Sequence, residues 1–269
     1  MLIDFHTHVF PDKIAAKTVG ILAEKSRLTP YSDGTVEGLL SKMKEASADL
    51  SIILPVITNP KQFDSINAYA VELNAIYKDK SPSLISFGGI HPLCDDIFSK
   101  MKKIKEMGLL GVKIHPDYQE TFIDDDRYAE ILSAAKELDL IVVTHAGVDA
   151  GYRNCPVRCS PERVLRLIKR VPYSKFVLAH FGANELYEEA ISAIAGEDVY
   201  IDTALSLKII GKDAFCRLVK KHGEDRILFA TDSPWSDIKE DAELIRSFGL
   251  SRETEEKIFS KNAIKLLGR

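Results

Sequence analysis

The sequence predicts an α/β chain folded as a (β/α)8 barrel of the TIM type, on three observations. Short β-branched runs alternate with longer segments of helical period along the whole chain, and eight such runs can be counted. The length of 269 residues suits one eight-stranded barrel, which typically needs about 250 residues. Closure also removes the two unpaired edges that an open sheet would leave. Residues 1–269 are therefore read as a single barrel domain.

The runs are Leu2–His8, Leu50–Ile57, Leu84–Ile90, Leu110–His115, Leu140–His145, Lys175–His180, Val199–Thr203 and Ile227–Asp232. Several are apolar on both parities, as strands of a helix-covered parallel sheet should be. Helix starts are legible from their caps. Ser160-Pro161-Glu162 places a hydroxyl at the N-cap and proline at the first helical position, and Val164, Leu165, Leu167, Ile168 and Val171 then form one apolar stripe. Asp124 or Asp125 opens a second helix, with Ile131, Leu132 and Ala135 turned inward. Two helices exceed the eight-unit count, one near Asp12–Glu24 and one at the C-terminus, Ser251–Leu267. Ser26–Thr35 carries Pro30, Asp33 and Gly34 without an apolar period and reads as a long mobile loop.

Composition narrows the function classes. With 45% hydrophobic and 28% charged residues, disorder, collagen and coiled coil are excluded. The net charge is −4 and no basic cluster stands out, which argues against nucleic acid or an anionic membrane as partner. The N-terminus has no basic segment ahead of an apolar one, and no apolar run approaches the roughly 20 residues of a membrane helix. The expectation is a cytoplasmic protein with a small-molecule substrate, homo-oligomerisation being left open. Cys94, Cys155, Cys159 and Cys216 are too few and too irregular for a disulfide framework; Cys155 and Cys159 could form half of a zinc site, but no matching pair follows.

The histidines carry the chemical signal. Six of seven (His6, His8, His91, His115, His145 and His180) fall at or just past the end of a predicted strand, and only His222 falls at a helix terminus. Strand ends of a barrel converge on one face, where sites are built. His6 and His8 lie two apart and so share a side, and paired neutral imidazoles suit a transition metal better than a core. His145, His180 and Asp232 close their strands in the same manner, Asp232 being followed by the strand-stopping Ser233-Pro234. Each residue alone could be a hydrogen-bonded strand end. Five together indicate a metal site made of His6, His8, His145, His180 and Asp232.

The ordered motifs Asp4-Phe5-His6-Thr7-His8, Gly111-Val112-Lys113-Ile114-His115-Pro116, Thr144-His145-Ala146-Gly147, Ala179-His180-Phe181-Gly182, Val199-Tyr200-Ile201-Asp202-Thr203 and Phe229-Ala230-Thr231-Asp232-Ser233-Pro234 span the chain. In them the sequence resembles the amidohydrolase superfamily, within it the metal-dependent hydrolase family that includes aminocarboxymuconate-semialdehyde decarboxylase. The resemblance implies His6, His8, His145 and Asp232 as metal ligands. It implies for His180 either a ligand to a second metal or the acid/base residue beside the ion. It leaves open whether Lys113, on the fourth strand, or His115, which shares its parity, faces the metal, and whether Lys113 is carboxylated. TatD-like deoxyribonucleases carry a glutamate among their ligands that Gly111–His115 lacks. The chain is also short for the decarboxylase branch.

The reading is therefore a metal-dependent hydrolase using one or two divalent ions, zinc by preference, on an amide, ester or lactone. Such an ion brings the pKa of a bound water to about 7; Asp232 would take its proton and His180 would orient the substrate oxygen. The alternatives are a non-oxidative decarboxylase of a small carboxylic acid and, with less support, a TatD-like nuclease or a non-catalytic binding barrel. Lys113, His115, His91, Arg153 and Trp235 are candidate substrate contacts. Each has a plainer reading: an internal ion pair for Lys113, a turn histidine for His91, a solvated arginine for Arg153, helix packing for Trp235. Asp202 is read as orienting a neighbour.

Overall fold

The computed structural model describes residues 1–269 and shows the barrel. Its parallel strands are β1 (Ile3–Thr7), β2 (Leu50–Ile53), β3 (Ser83–Ser86), β4 (Gly88–Gly89), β5 (Gly111–Ile114), β6 (Ile141–Thr144), β7 (Phe176–Leu178), β8 (Tyr200–Asp202) and β9 (Ile227–Leu228). β3 and β4 are the two halves of the third expected run, parted at Phe87, so the staves number eight. Pairing runs β1-β2-β3 and β4 through β9 in order. Backbone bonds close both seams: Phe87 N–H donates to Ile53 O (2.9 Å), Phe5 N–H to Phe229 O (2.9 Å) and Asp232 N–H to His6 O (2.8 Å). The ladders stop short of the expected ends because the chain turns away just where His115, His145, His180 and Asp232 enter the mouth.

Alternate strand positions explain the two cores. Leu84, Val112, Val142, Leu178 and Ile201 face outward beneath the helices. Phe5, Ile52, Phe87, Val143, Val177 and Leu228 fill the barrel, and Ala263, Leu266 and Leu267 of the last helix plug its lower end. β1 does not alternate strictly. Asp4 pairs with Ser51 but Thr7 with Ile53, so β1 carries one extra residue. This bulge lets Phe5 stay in the interior, edge-on to Phe87 at 6.0 Å, while the adjacent His6 also turns into the mouth.

Helices follow each strand. In Pro161–Arg170 Val164, Leu167 and Ile168 of the expected stripe are buried, Leu165 and Val171 only partly, and Ser160 holds the N-cap backbone conformation although its hydroxyl makes no capping bond. Asp125 caps Asp126–Leu138, leaving Asp124 to bind Arg163 and Arg166. The extra helix spans Asp12–Ser26. The next helix, Val36–Ala46, contributes Val36, Leu39 and Met43 to the outer core. The C-terminal helix starts behind the Ser251 cap and contains one π-helical turn, Lys257–Lys261. Residues 27–35 form the expected loop.

His222, at the end of Leu207–His222, is a structural histidine. Its Nε2 donates to Val199 O (3.1 Å) and its Nδ1 accepts from Gly196 N–H (3.1 Å). Burial pushes its pKa down from 6.5 to about 4. Above pH 6.5 the ring is neutral in both the folded and unfolded chain and contributes no pH dependence. As pH falls from 6.5 to 4 the unfolded chain takes the proton first, and stability drops by about 3 kcal/mol at roughly 1.4 per pKa unit. Denaturant unfolding at pH 7.5 and 4.5 should show a steeper loss for the native chain than for His222→Gln. Equal losses would refute this.

Candidate metal centre

Strand ends deliver the polar side chains of the mouth. β1 supplies His6 and, just beyond, His8, β5 Lys113 and, just beyond, His115; His145, His180 and Asp232 follow β6, β7 and β9. Three of these meet closely. Asp232 Oδ1 lies 3.2 Å from His6 Nε2 and 2.9 Å from His8 Nε2, and the two imidazole nitrogens are 3.2 Å apart. His6, His8 and Asp232 thus form one group able to hold an ion.

The outer ring nitrogens explain why the inner ones are free. His6 Nδ1 is 2.9 Å from Asp202 Oδ2, and His8 Nδ1 is 2.7 Å from Leu54 O. Both partners only accept, so the ring protons sit on Nδ1 and the Nε2 lone pairs point at each other across Asp232 Oδ1. Burial, reinforced by the Lys113 ammonium, holds His6 well below the usual histidine range, which keeps it a neutral donor. Asp202, besides orienting His6, accepts the backbone N–H groups of His180 (2.8 Å) and Ala204 (3.1 Å).

Across the mouth the arrangement repeats. His180 Nδ1 lies 3.1 Å from Ala204 O, which turns the Nε2 lone pair toward His145 Nδ1 at 3.0 Å. His145 Nε2 and Asp117 Oδ2 are buried without partners, 3.9 Å apart. If His145 donates through Nδ1, its Nε2 is left as an orphaned acceptor facing a carboxylate. If the proton turns toward Asp117, two bare lone pairs face each other at 3.0 Å, an arrangement that a shared cation relieves. The donor set therefore fits a divalent ion of the kind imidazole and carboxylate bind. His145 does not fall within the close His6–His8–Asp232 group; it reaches that group through His180, and it also stacks on His115 at 4.3 Å. His115, His145 and Asp149 form a second group.

Of the two fourth-strand candidates, Lys113 lies nearer the first group, with Nζ 3.0 Å from His6 Nε2. It makes no ion pair, and burial brings its pKa down to about 8. His115 sits farther out, Nε2 3.4 Å from Asp149 Oδ2. The two expected acid/base residues, His180 (φ 59°) and Asp232 (φ 65°), are among the ten non-glycine residues in the left-handed region, at a cost of order 1 kcal/mol each.

The mouth opens into a cavity of about 390 Å³ lined by Lys113, His115 and Trp235 among the expected substrate contacts. Arg153 and His91 are outside it. Arg153 is drawn away by Glu185 (2.5 Å), and the buried His91 accepts the Leu93 N–H in its own turn. Tyr118, Asp149 and Asn184 line the cavity without having been expected. Asn184 owes its place to Gly147 (φ 85°), where a Cβ would lie 2.1 Å from Asn184 N, so only glycine lets the loops after β6 and β7 pair. The four cysteines are free thiols outside both ligand groups.

Comparison with known proteins adds a family match and a set of like structures. The family model described as Amidohydrolase matches residues 3–269. The structure resembles 5-carboxyvanillate decarboxylase from Sphingomonas paucimobilis (15% identity, TM-score 0.71, covering 99% of this chain and 98% of that one). It resembles equally a dihydroxybenzoic acid decarboxylase from Polaromonas sp. JS666 with bound manganese and the inhibitor 2-nitroresorcinol (16%, TM-score 0.72, 99% and 96%). A Staphylococcus aureus protein described as a candidate amidohydrolase is similar too (18%, TM-score 0.73, 100% and 99%). At such identities the likeness speaks for the fold. The expected shortfall in length against the decarboxylases is corrected by the coverage, which takes in nearly all of both chains. No curated protein matches the chain in sequence. No helix is long and apolar enough to cross a membrane.

Proposed function

The chain belongs to the amidohydrolase family matched over residues 3–269, and from that premise we propose that it is a metal-dependent enzyme that removes carbon dioxide non-oxidatively from a small carboxylic acid. The observation that carries this reading is the meeting of His6 Nε2, His8 Nε2 and Asp232 Oδ1 beside Lys113, the one cationic side chain lining the cavity. The likeness to two decarboxylases supports it.

In this reading His6, His8 and Asp232 anchor the ion, and His145 and His180 offer further donors to it or to a second one. A divalent ion there supplies Lewis-acid polarisation of a substrate oxygen and attraction for a carboxylate. Zinc suits the donors, and manganese is the ion in the Polaromonas structure. Lys113 holds the substrate anion at the cavity floor. As the carbon–carbon bond breaks and carbon dioxide leaves, the electron pair left on carbon takes a proton, which His180 would deliver from Nε2 in its doubly protonated form, having first taken that proton from solvent. The ring's Nδ1–H stays on Ala204 O while Nε2 lies among the cavity-lining groups, 3.0 Å from His145 Nδ1.

Hydrolysis is the second reading, favoured by the family description and by Asp232, whose Oδ1 sits where an attacking water would give up its proton. There His180 would hold the substrate oxygen. Product analysis separates the two. The purified chain should hold one tight equivalent of divalent metal and release carbon dioxide from an aromatic carboxylate, with amides and lactones untouched. Lys113→Met should raise KM for the acid by about 10-fold or more, as expected for losing a charge-assisted contact, while metal content is kept. Amine or alcohol release without carbon dioxide would establish the hydrolase instead. Two equivalents would refute the single-ion form.

A further inference from the structure

The helix Asp12–Ser26 contributes little to the barrel. Its buried residues, Ala15 and Val19, belong to neither hydrophobic core, whereas Val36, Leu39 and Met43 of the next helix join the outer one. It is nonetheless held in place. It packs against the turn Ala150–Tyr152, with Lys25 Nζ 3.4 Å from the centre of the Tyr152 ring, and Val19 abuts Gly34. One stripe at helical spacing, Ile14, Thr18 and Leu22, faces the cavity. Ile14 lines the cavity while 49% exposed, so its apolar surface is uncovered. Leu28, Ile66 and Leu205 continue this wall.

The cavity is thus divided by charge. Its floor holds the metal candidates and Lys113; the wall made by this helix and its neighbours mixes apolar side chains with the uncharged Thr18, Ser26, Thr58 and Gln62. Lys113 is the sole cationic lining residue, and the other charged side chains there are the carboxylates Asp149 and Asp232. The neighbouring arginines are engaged elsewhere, Arg153 by Glu185 and Arg158 by Asp117. A second anionic group on a ligand, placed away from the floor, would meet no cationic lining residue; the nearest ammonium, Lys25, is drawn over the Tyr152 and Tyr118 rings.

We propose that the helix Asp12–Ser26 is the specificity element of the site and that the substrate is a monocarboxylate with an uncharged, apolar body. Its carboxylate lies at the floor by Lys113, and its body lies against Ile14, Leu22 and Leu28. This rests on the decarboxylase reading for the carboxylate, whereas the apolar wall is independent of the ion.

Benzoate, 4-propylbenzoate and terephthalate serve as probes, titrated calorimetrically into the full chain with and without added manganese or zinc. 4-Propylbenzoate should bind about 10-fold or more tighter than benzoate, in keeping with the burial of three extra carbons. Terephthalate, of similar reach but doubly charged, should bind no tighter than benzoate. In Leu22→Asp and in the more exposed Ile14→Asp, the preference for the propyl compound should fall to about 3-fold or less, with metal content unchanged. Terephthalate binding tighter than 4-propylbenzoate, a preference retained in both variants, or binding of none of the three would overturn the proposal. Failure of the chain to take up metal counts against the proposed metal centre alone, because the preference is read in either state.

Discussion

A chain carrying His6→Ala and His8→Ala together should lose its tightly held ion and, with it, turnover. Both Nε2 atoms lie within 3.2 Å of Asp232 Oδ1, so the double replacement leaves a lone carboxylate where three donors met. Residues one step removed from a bound ion are typically worth about 10- to 100-fold in affinity, and two direct donors should cost at least about 100-fold. The fold should survive. Asp202 loses its bond from His6 but keeps the backbone N–H groups of His180 and Ala204, and an unmet buried acceptor costs about 1–3 kcal/mol. Metal content and thermal unfolding measured on one preparation decide the matter. A folded double variant with its metal intact would remove the first-strand pair from the site.

The barrel and the histidine constellation were legible for one reason. Apolar alternation marks strands locally, and a barrel brings every strand end to the same face whatever lies between them. His6, His8, His145, His180 and Asp232 could therefore be grouped without knowing a loop. What the loops decide was not legible. Arg153 looked able to reach the mouth, yet its partner Glu185 lies 32 residues on in another loop. His91 ends its strand like the others but turns back to its own backbone. Asp117 and Asp149 carry no local mark that distinguishes them from solvated acids; their roles come from the histidines packed against them. The bulge in β1 was hidden as well, because strict alternation already placed His6 and His8 together and gave no hint that Phe5 would share their side. The extra helix was recognised as a helix, but its position over the cavity depends on packing against the turn Ala150–Tyr152.

His180→Ala should keep most of the metal and lose about 10²- to 10⁴-fold in rate, the usual worth of a positioned proton-transfer group. The close ion-holding group does not include His180, so the anchor formed by His6, His8 and Asp232 remains. Removing the ring takes away the only side-chain partner of His145 Nδ1 and opens space beside the Lys113 end of the cavity. If His180 is itself a ligand, metal should fall first and rate in proportion. If it is merely structural, both should stay near native while stability declines. Alanine at a φ of 59° is strained, so a loss of folding could obscure the outcome; His180→Asn, whose side chain tolerates the left-handed region, supplies the second variant. The backbone N–H to Asp202 is retained in both. A folded His180→Asn chain with native metal content and native rate would exclude His180 from proton transfer, and with it the assignment of the acid to the end of the seventh strand.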